Sequence, residues 1–203
     1  MRKIKLLTLF AFCALSLIFS SCLNDNDNNN TLSDAQIAQC INSIKGDYDG
    51  NLIYESQNPN VSTDKTDSVE ISWRVQRTDT AAVLSVYDIP SNLIAQNLDN
   101  GDVKTALLNT SYSTLNAVIA FFQDTPTIGF MIYPMPIKYT ITYGGASHEL
   151  TAYFYSGRYS FGYHSSAKKL MRMQLVLGGV YLDGNLQNNL LKQESAFILD
   201  AQW

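Results

Sequence analysis

Two histidines, His148 and His164, are all the imidazoles in this 203-residue chain, so acid–base, nucleophilic or metal chemistry would have to be built around them. Ser147 and His148 are neighbours in "GGASHEL", and adjacency in a turn does not give the geometry of a nucleophile and its base. Strand alternation places the two histidines on opposite faces, which argues against a two-histidine metal site. The sequence has no CxxC pair, no GxSxG elbow, no HExxH and no phosphate-cradling glycine loop. Glu55, Glu70, Asp79, Asp88 and Asp99 form no acid constellation, and a Glu149–His164 pair would be a solvated surface contact. Asp25 and Asp27 alternate as in a calcium loop, but Asn30 stands where the glycine is needed and Gln36 where the closing glutamate is needed. The expectation is no catalytic residue, no metal and no cofactor, with an enzyme the third-ranked functional reading.

What the chain does carry is aromatic surface: 12 tyrosines and 9 phenylalanines. If Tyr143 pairs with His148 across "GGAS" and Tyr155 with Arg158 across "SG", one sheet face collects Ile137, Tyr139, Ile141, Tyr143, Leu150, Ala152, Phe154, Tyr159, Phe161 and Tyr163. The opposite face then carries Lys138, Thr140, Thr142, Glu149, Thr151, Tyr153, Tyr155, Ser160 and His164. A continuing strand adds Met171, Met173, Leu175 and Leu177 to the first face. Either these rings form a core with hydroxyls reaching the rim, or Tyr139, Tyr143, Tyr159, Tyr163, Met171 and Met173 line a ligand cavity or cleft. The second arrangement avoids burying phenols without partners, at about 1–3 kcal/mol each, and fits a small amphipathic or sugar-like molecule.

The elements that must position these residues are mostly strands. "LSDAQIAQCINSIKG" predicts one helix, with Ser33 as N-cap, Ile37, Ile41 and Ile44 at helical spacing and Gly46 as the stop. "DYDGNLIYE", "DSVEISWRVQR" and "AAVLSVYDIP" alternate as strands, and residues 91–110 read as two short helices interrupted near Gly101. "STLNAVIAFFQ" matches both periods and is assigned to strand. From Thr127 onward the pattern is β, with Gly-Gly at 144–145, Ser-Gly at 156–157, Gly-Gly at 178–179 and Asp-Gly at 183–184 read as hairpin signals. The expected fold is mainly β: an antiparallel barrel (lipocalin-like) or a two-sheet sandwich, with an N-terminal helix and a short mid-chain helical insertion.

The first residues carry an address. Arg2, Lys3 and Lys5 precede an apolar run from Leu6 to Phe19, then Ser20, Ser21 and Cys22, the order of an export signal. The run is shorter than the roughly 20 residues that span a bilayer. Ser20 and Ser21 before Cys22 resemble a bacterial lipobox, which implies a lipid on the Cys22 sulfur and a chain held at a membrane by its acyl groups. Residues 1–21 are thus read as a lipoprotein signal peptide, 22–33 as lipidated Cys22 with an Asn/Asp-rich flexible tether reaching about 20 Å, and 34–203 as a single β-rich domain. Loss of residues 1–21 removes three positive charges and takes the formal charge from −4 to −7, which argues against a nucleic-acid partner. Cys40 is left without a disulfide partner and is expected buried and inert.

"FSSC", "IKGDYDGNL", "KYTITYGGASHEL", "YSFGY" and "YLDGNLQNNLL" together resemble an uncharacterised lipoprotein family of gut Bacteroidetes, a domain of unknown function of about this length. "GDYDGNL" is also similar to the first strand of lipocalin-like barrels. The resemblance implies an outer-membrane lipoprotein on the cell surface or the periplasmic face, and carries over no catalytic residue. "DSV" and "DTA" match the short O-glycosylation pattern of that phylum, with Ser68 and Thr80 as acceptors. The functional expectation is a non-enzymatic, lipid-anchored binding module of the cell envelope; the alternative is a structural or adaptor lipoprotein that docks an envelope protein. The membrane, through the anchor, and a small-molecule or glycan ligand are the expected partners.

Overall fold

The computed structural model describes residues 31–56, 65–78, 81–99, 101–186 and 188–203. Leu32–Trp203 forms one compact unit. It opens with helix α1 (Asp34–Ile44), whose start is fixed by a reciprocal cap. The Gln36 N–H donates to Ser33 Oγ at 3.4 Å while the Ser33 N–H donates to Gln36 Oε1 at 2.9 Å. Lys45 is already extended, so Gly46 begins the first strand instead of ending the helix. Cys40, Ile41 and Ile44 form the buried face of α1, and burial pushes the Cys40 thiol up.

Ten strands follow: β1 (Gly46–Glu55), β2 (Thr66–Arg77), β3 (Ala82–Ile89), β4 (Ser113–Gln123), β5 (Ile128–Pro134), β6 (Ile137–Tyr143), β7 (Ala146–Tyr155), β8 (Gly157–Ser165), β9 (Leu170–Leu182) and β10 (Ser195–Gln202). Two short helices, α2 (Asn92–Ala95) and α3 (Gly101–Leu108), are inserted between β3 and β4. The order β1-β2-β3-β4-β5-β8-β9-β10 closes on itself, because β10 pairs with both β9 and β1, and every pairing is antiparallel. The fold is therefore an eight-stranded barrel, and closure leaves its staves without the free edges a two-sheet sandwich would have. The β6–β7 hairpin is an insertion between the fifth and sixth staves.

Strand alternation fills the interior with large apolar groups. Trp73, Leu84, Leu115, Phe130, Met173 and Leu199 are each at most 1% exposed. Helix α1 lies over one end, tied down where Gln36 Nε2 donates to Asp124 Oδ2 at 2.9 Å in the β4–β5 turn. The other end is occupied by α2 and α3, with α3 packed on β6; Leu93, Ile94, Leu98, Val103 and Leu107 are all buried there.

Several turns and pairings of the second half depart from the sequence expectation. First, the β6–β7 turn is the two-residue loop Gly144-Gly145, so Tyr143 faces Ala146, not His148. The loop remains even in length, and the expected face separation in this hairpin holds: Ile137, Tyr139, Ile141, Leu150, Ala152 and Phe154 are buried. Second, Ser156-Gly157 is not a hairpin. β7 pairs with β6 and β9, while β8 pairs with β5 and β9. Third, Gly178-Gly179 is not a turn; β9 runs through it for 13 residues, with a register shift between Tyr153 and Phe154 of the facing strand.

That long strand explains the rest. One edge of β9 pairs with β8 over Leu170–Gln174 and then with β7 over Val176–Leu182. Ser160 stitches the handover: its hydroxyl donates to the Tyr155 carbonyl and accepts from the Val176 N–H at 3.2 Å. Beyond Leu177, where the pairing with β10 stops, Asn189 takes over the other edge, with Oδ1 accepting from the Val180 N–H at 3.0 Å.

Candidate functional site

The six residues expected to line one cleft are distributed among four places. Met171 and Met173 lie in the barrel core, fully buried, with the Trp73 Nε1–H donating to Met171 Sδ at 3.4 Å. Tyr139 is sealed under the β6–β7 hairpin. Its hydroxyl approaches Ser113 but makes no hydrogen bond of ordinary geometry, and burial pushes the phenol up. Tyr143, half-buried near the hairpin turn, stacks on His148 at 4.3 Å.

Tyr159 and Tyr163 stand on the outside of the barrel, a reversal of the expected face of β8. Its inward row is Ser160, Gly162 and His164, all buried. The cause is volume: a β-carbon on Gly162 would sit 2.6 Å from the Phe130 ring and 2.7 Å from Met173 Cγ, so the interior opposite these large groups admits only small side chains.

The two histidines are far apart in role. His148 Nδ1 lies 2.8 Å from Asp183 Oδ2, and this bond, with the Glu149 N–H at 3.0 Å, lowers the Asp183 carboxyl. His164 is 3% exposed, stacks on Trp203 at 5.5 Å and has no partner for Nδ1; burial lowers its pKa. Ser68 is exposed on β2, opposite Ile53, whereas Thr80 and Cys22 lie outside the described residues. A shallow, open depression of about 540 Å³ on the β1–β2 wall is lined by Asp49, Asn51, Glu70, Ser72 and Asp88. It presents carboxylates and amides but no aromatic ring.

The reversed face of β8 creates a different arrangement, an outer platform where β7, β8 and β9 meet. Tyr153, Tyr155 and Tyr159 are 39%, 36% and 38% exposed, and the rings associate in pairs: Tyr153 with Tyr181 at 5.6 Å and Tyr155 with Tyr159 at 5.3 Å. Each such contact contributes about 0.5–1.5 kcal/mol beyond area burial, which biases the rings towards these positions before anything binds. The Arg158 guanidinium lies 5.1 Å from the Tyr159 centroid and donates to the Tyr159 hydroxyl at 3.2 Å. At the other side the Tyr155 hydroxyl donates to Glu194 Oε1 at 2.7 Å, which with burial pushes the phenol up to about 12.

The floor under these rings is bare backbone. A β-carbon on Gly178 would lie 2.5 Å from the Tyr155 ring, and one on Gly179 would lie 2.6 Å from the Tyr181 ring. The Gly-Gly step that resembles a turn in the sequence is what lets two tyrosines lie close against β9. Of this platform the sequence expectation contained Tyr159 alone. The available signal was the placing of Tyr153 and Tyr155 on the supposedly polar face, among threonines, where aromatic residues had no structural task.

Such a surface offers flat apolar rings with polar groups fixed at their margins, which suits a ligand that has both apolar C–H faces and hydroxyls. It brings together no nucleophile–base pair.

A family model described as Domain of unknown function (DUF4840) matches residues 43–182, more than half of the chain. No curated protein and no solved structure matches it.

Proposed function

The chain belongs to the DUF4840 family, a domain of unknown function, and we propose that it is a non-enzymatic binding module of the bacterial cell envelope. It is anchored by lipid on Cys22 and holds a sugar-like or small amphipathic ligand on the Tyr153/Tyr155/Tyr159/Tyr181 platform. The observation that carries this reading is the pair of ring contacts at 5.6 and 5.3 Å laid over Gly178-Gly179, with Arg158 and Glu194 at their margins. Rings already held by one another lose little freedom on binding, so more of the stacking energy remains as affinity.

The anchored part of the proposal is supported by the sequence: three basic residues, an apolar run, and Ser20-Ser21 before Cys22. On this reading the protein is an outer-membrane lipoprotein of the Bacteroidetes type, at the cell surface or the periplasmic face. The position of the platform on an outer wall, not inside a cavity, also favours the second reading, an adaptor that docks a protein partner.

Thermal-shift screening of the full chain against neutral oligosaccharides and envelope metabolites separates the two. A bound ligand at about 100 times its Kd adds about 2.7 kcal/mol of stability. The binding reading expects at least one saccharide to raise the melting temperature of the native chain and to lose that effect in Tyr155→Ala and Tyr159→Ala. If none of the saccharides or metabolites shifts the native protein, the small-ligand reading fails and the adaptor reading stands.

A further inference from the structure

The end of the barrel covered by α1 carries a second aromatic surface, separate from the tyrosine platform. Phe122, on β4, is 39% exposed and meets Tyr163 edge-on at 5.9 Å; Tyr163 meets Phe161 at the same distance. Trp203 is 51% exposed, and its N–H donates to the Lys169 carbonyl at 3.1 Å, beside Lys168. Both lysines are exposed in the β8–β9 turn. All of these belong to one end: β4–β5 turn, end of β8, β8–β9 turn and end of β10.

The chain enters the domain at that same end. Ser33 caps α1 next to the β4–β5 turn, where Gln36 is bonded to Asp124, two residues from Phe122. The tether expected at 23–33, most of which lies outside the described residues, would average about 20 Å end to end. The ten residues of β1 alone extend roughly 33 Å. A lipid on Cys22 therefore keeps the α1 end close to the bilayer and the opposite end away from it.

We propose that the α1 end docks on a lipid surface containing anionic headgroups, with Phe122, Tyr163 and Trp203 entering the interfacial layer and Lys168 and Lys169 meeting the headgroups. Aromatic rings with lysines at their margin are the combination that bilayer interfaces favour. Of the acids at this end, Asp124 is engaged by Gln36, Asp47 is paired with Arg74, Asp34 lies in the first turn of α1, and Asp49 stands on β1 beside Tyr48. The tyrosine platform, on the far half of β9 and the beginning of β8, then faces outward, where a ligand arrives. This inference rests on the anchored reading of Cys22.

The test uses the full-length chain extracted from its host membranes. Peptide mass at Cys22 establishes the acyl groups first. The protein is then reconstituted in vesicles of phosphatidylethanolamine with phosphatidylglycerol, carrying a nitroxide at Phe122→Cys or Tyr153→Cys. The ratio of oxygen to nickel-chelate accessibility is expected to be severalfold higher at position 122 than at 153. In the unsubstituted protein, brominated lipid is expected to quench Trp203 emission, Trp73 being enclosed in the core. Equal ratios at the two positions in folded protein overturn docking, as does Trp203 emission that brominated lipid leaves unchanged. Protection at 122 that follows protein concentration, and not lipid, assigns the face to a second copy and also overturns it. A Cys22 peptide without acyl mass instead overturns the anchored reading, so the two failures are told apart.

Discussion

The Tyr155 ring lies across Gly178 so closely that a β-carbon at that position would stand 2.5 Å from the ring. The contact joins a backbone feature, a register shift in β9, to the exposed surface proposed to bind ligand. A methyl group at Gly178 must displace the ring or open the β7–β9 pairing. Gly178→Ala is therefore predicted to destabilise the protein by about 1–3 kcal/mol, the usual cost of overpacking, and to weaken ligand binding. Gly101→Ala, where an added β-carbon meets nothing within 4 Å, is predicted to change stability by at most about 0.5 kcal/mol. Urea unfolding of the two variants checks both figures.

The Tyr155 phenol reaches about 12 chiefly because it donates a hydrogen bond to Glu194. Glu194→Gln removes the negative charge that resists ionisation of the phenol. The prediction is that one tyrosine titrates nearer the ordinary value of about 10 in that variant. Ultraviolet difference titration against the native protein measures the shift; superimposable curves would show that the Glu194 bond does not control the phenol.

The sequence made most elements legible and the site only partly so. Period-two alternation located the strands, and the Ser33 cap with Ile37, Ile41 and Ile44 located α1, because both signals are local. Alternation fixes which residues share a face, but not which face is inside. On β8 the aromatic row Tyr159, Phe161 and Tyr163 reads as core and Ser160 and His164 as solvent-facing, yet the structure has it the other way round. What decides is the volume already taken by Phe130 and Met173, residues 32 and 11 positions from Gly162 in the chain. Long-range volume competition of this kind leaves no mark in a single strand's pattern. Likewise Gly178-Gly179 carries the composition of a turn, and only the tyrosines lying over it give it another use.

His164 is buried neutral, its pKa lowered by removal from water. Below the ordinary histidine value of about 6.5 the unfolded chain takes up a proton that the folded chain resists. This contribution to stability is complete above that value and is lost as pH falls through the window down to the lowered folded value. The predicted result is a lower urea midpoint at about pH 5 than at about pH 8, with the difference reduced in His164→Asn. Asp47 and Asp183, whose pKa values are lowered by Arg74 and His148 respectively, act at more acidic pH and do not share this window.

Phe130 is fully enclosed and meets Phe121 edge-on at 6.2 Å. Phe130→Ala is predicted to cost about 3–5 kcal/mol, the range for removing a large aromatic from a close-packed interior. Tyr112, 67% exposed, is predicted to tolerate alanine within about 0.5 kcal/mol. Denaturant midpoints of the two variants measure the contrast; a small loss at Phe130 would mean that the barrel interior is not packed as described.

The proposed ligand sits on the outer wall of the barrel, against rings that rest on β9. Tyrosine-ring resonances of the labelled full chain, followed by nuclear magnetic resonance during titration with cellohexaose, maltohexaose, xylohexaose and mannohexaose, address this placement directly. At least one of these is predicted to move the signals of Tyr153, Tyr155, Tyr159 and Tyr181 in a saturable way and to leave those of Tyr48 and Tyr139 in place. Saturable shifts at Tyr48 or Tyr139, with the four platform rings unmoved, would contradict it.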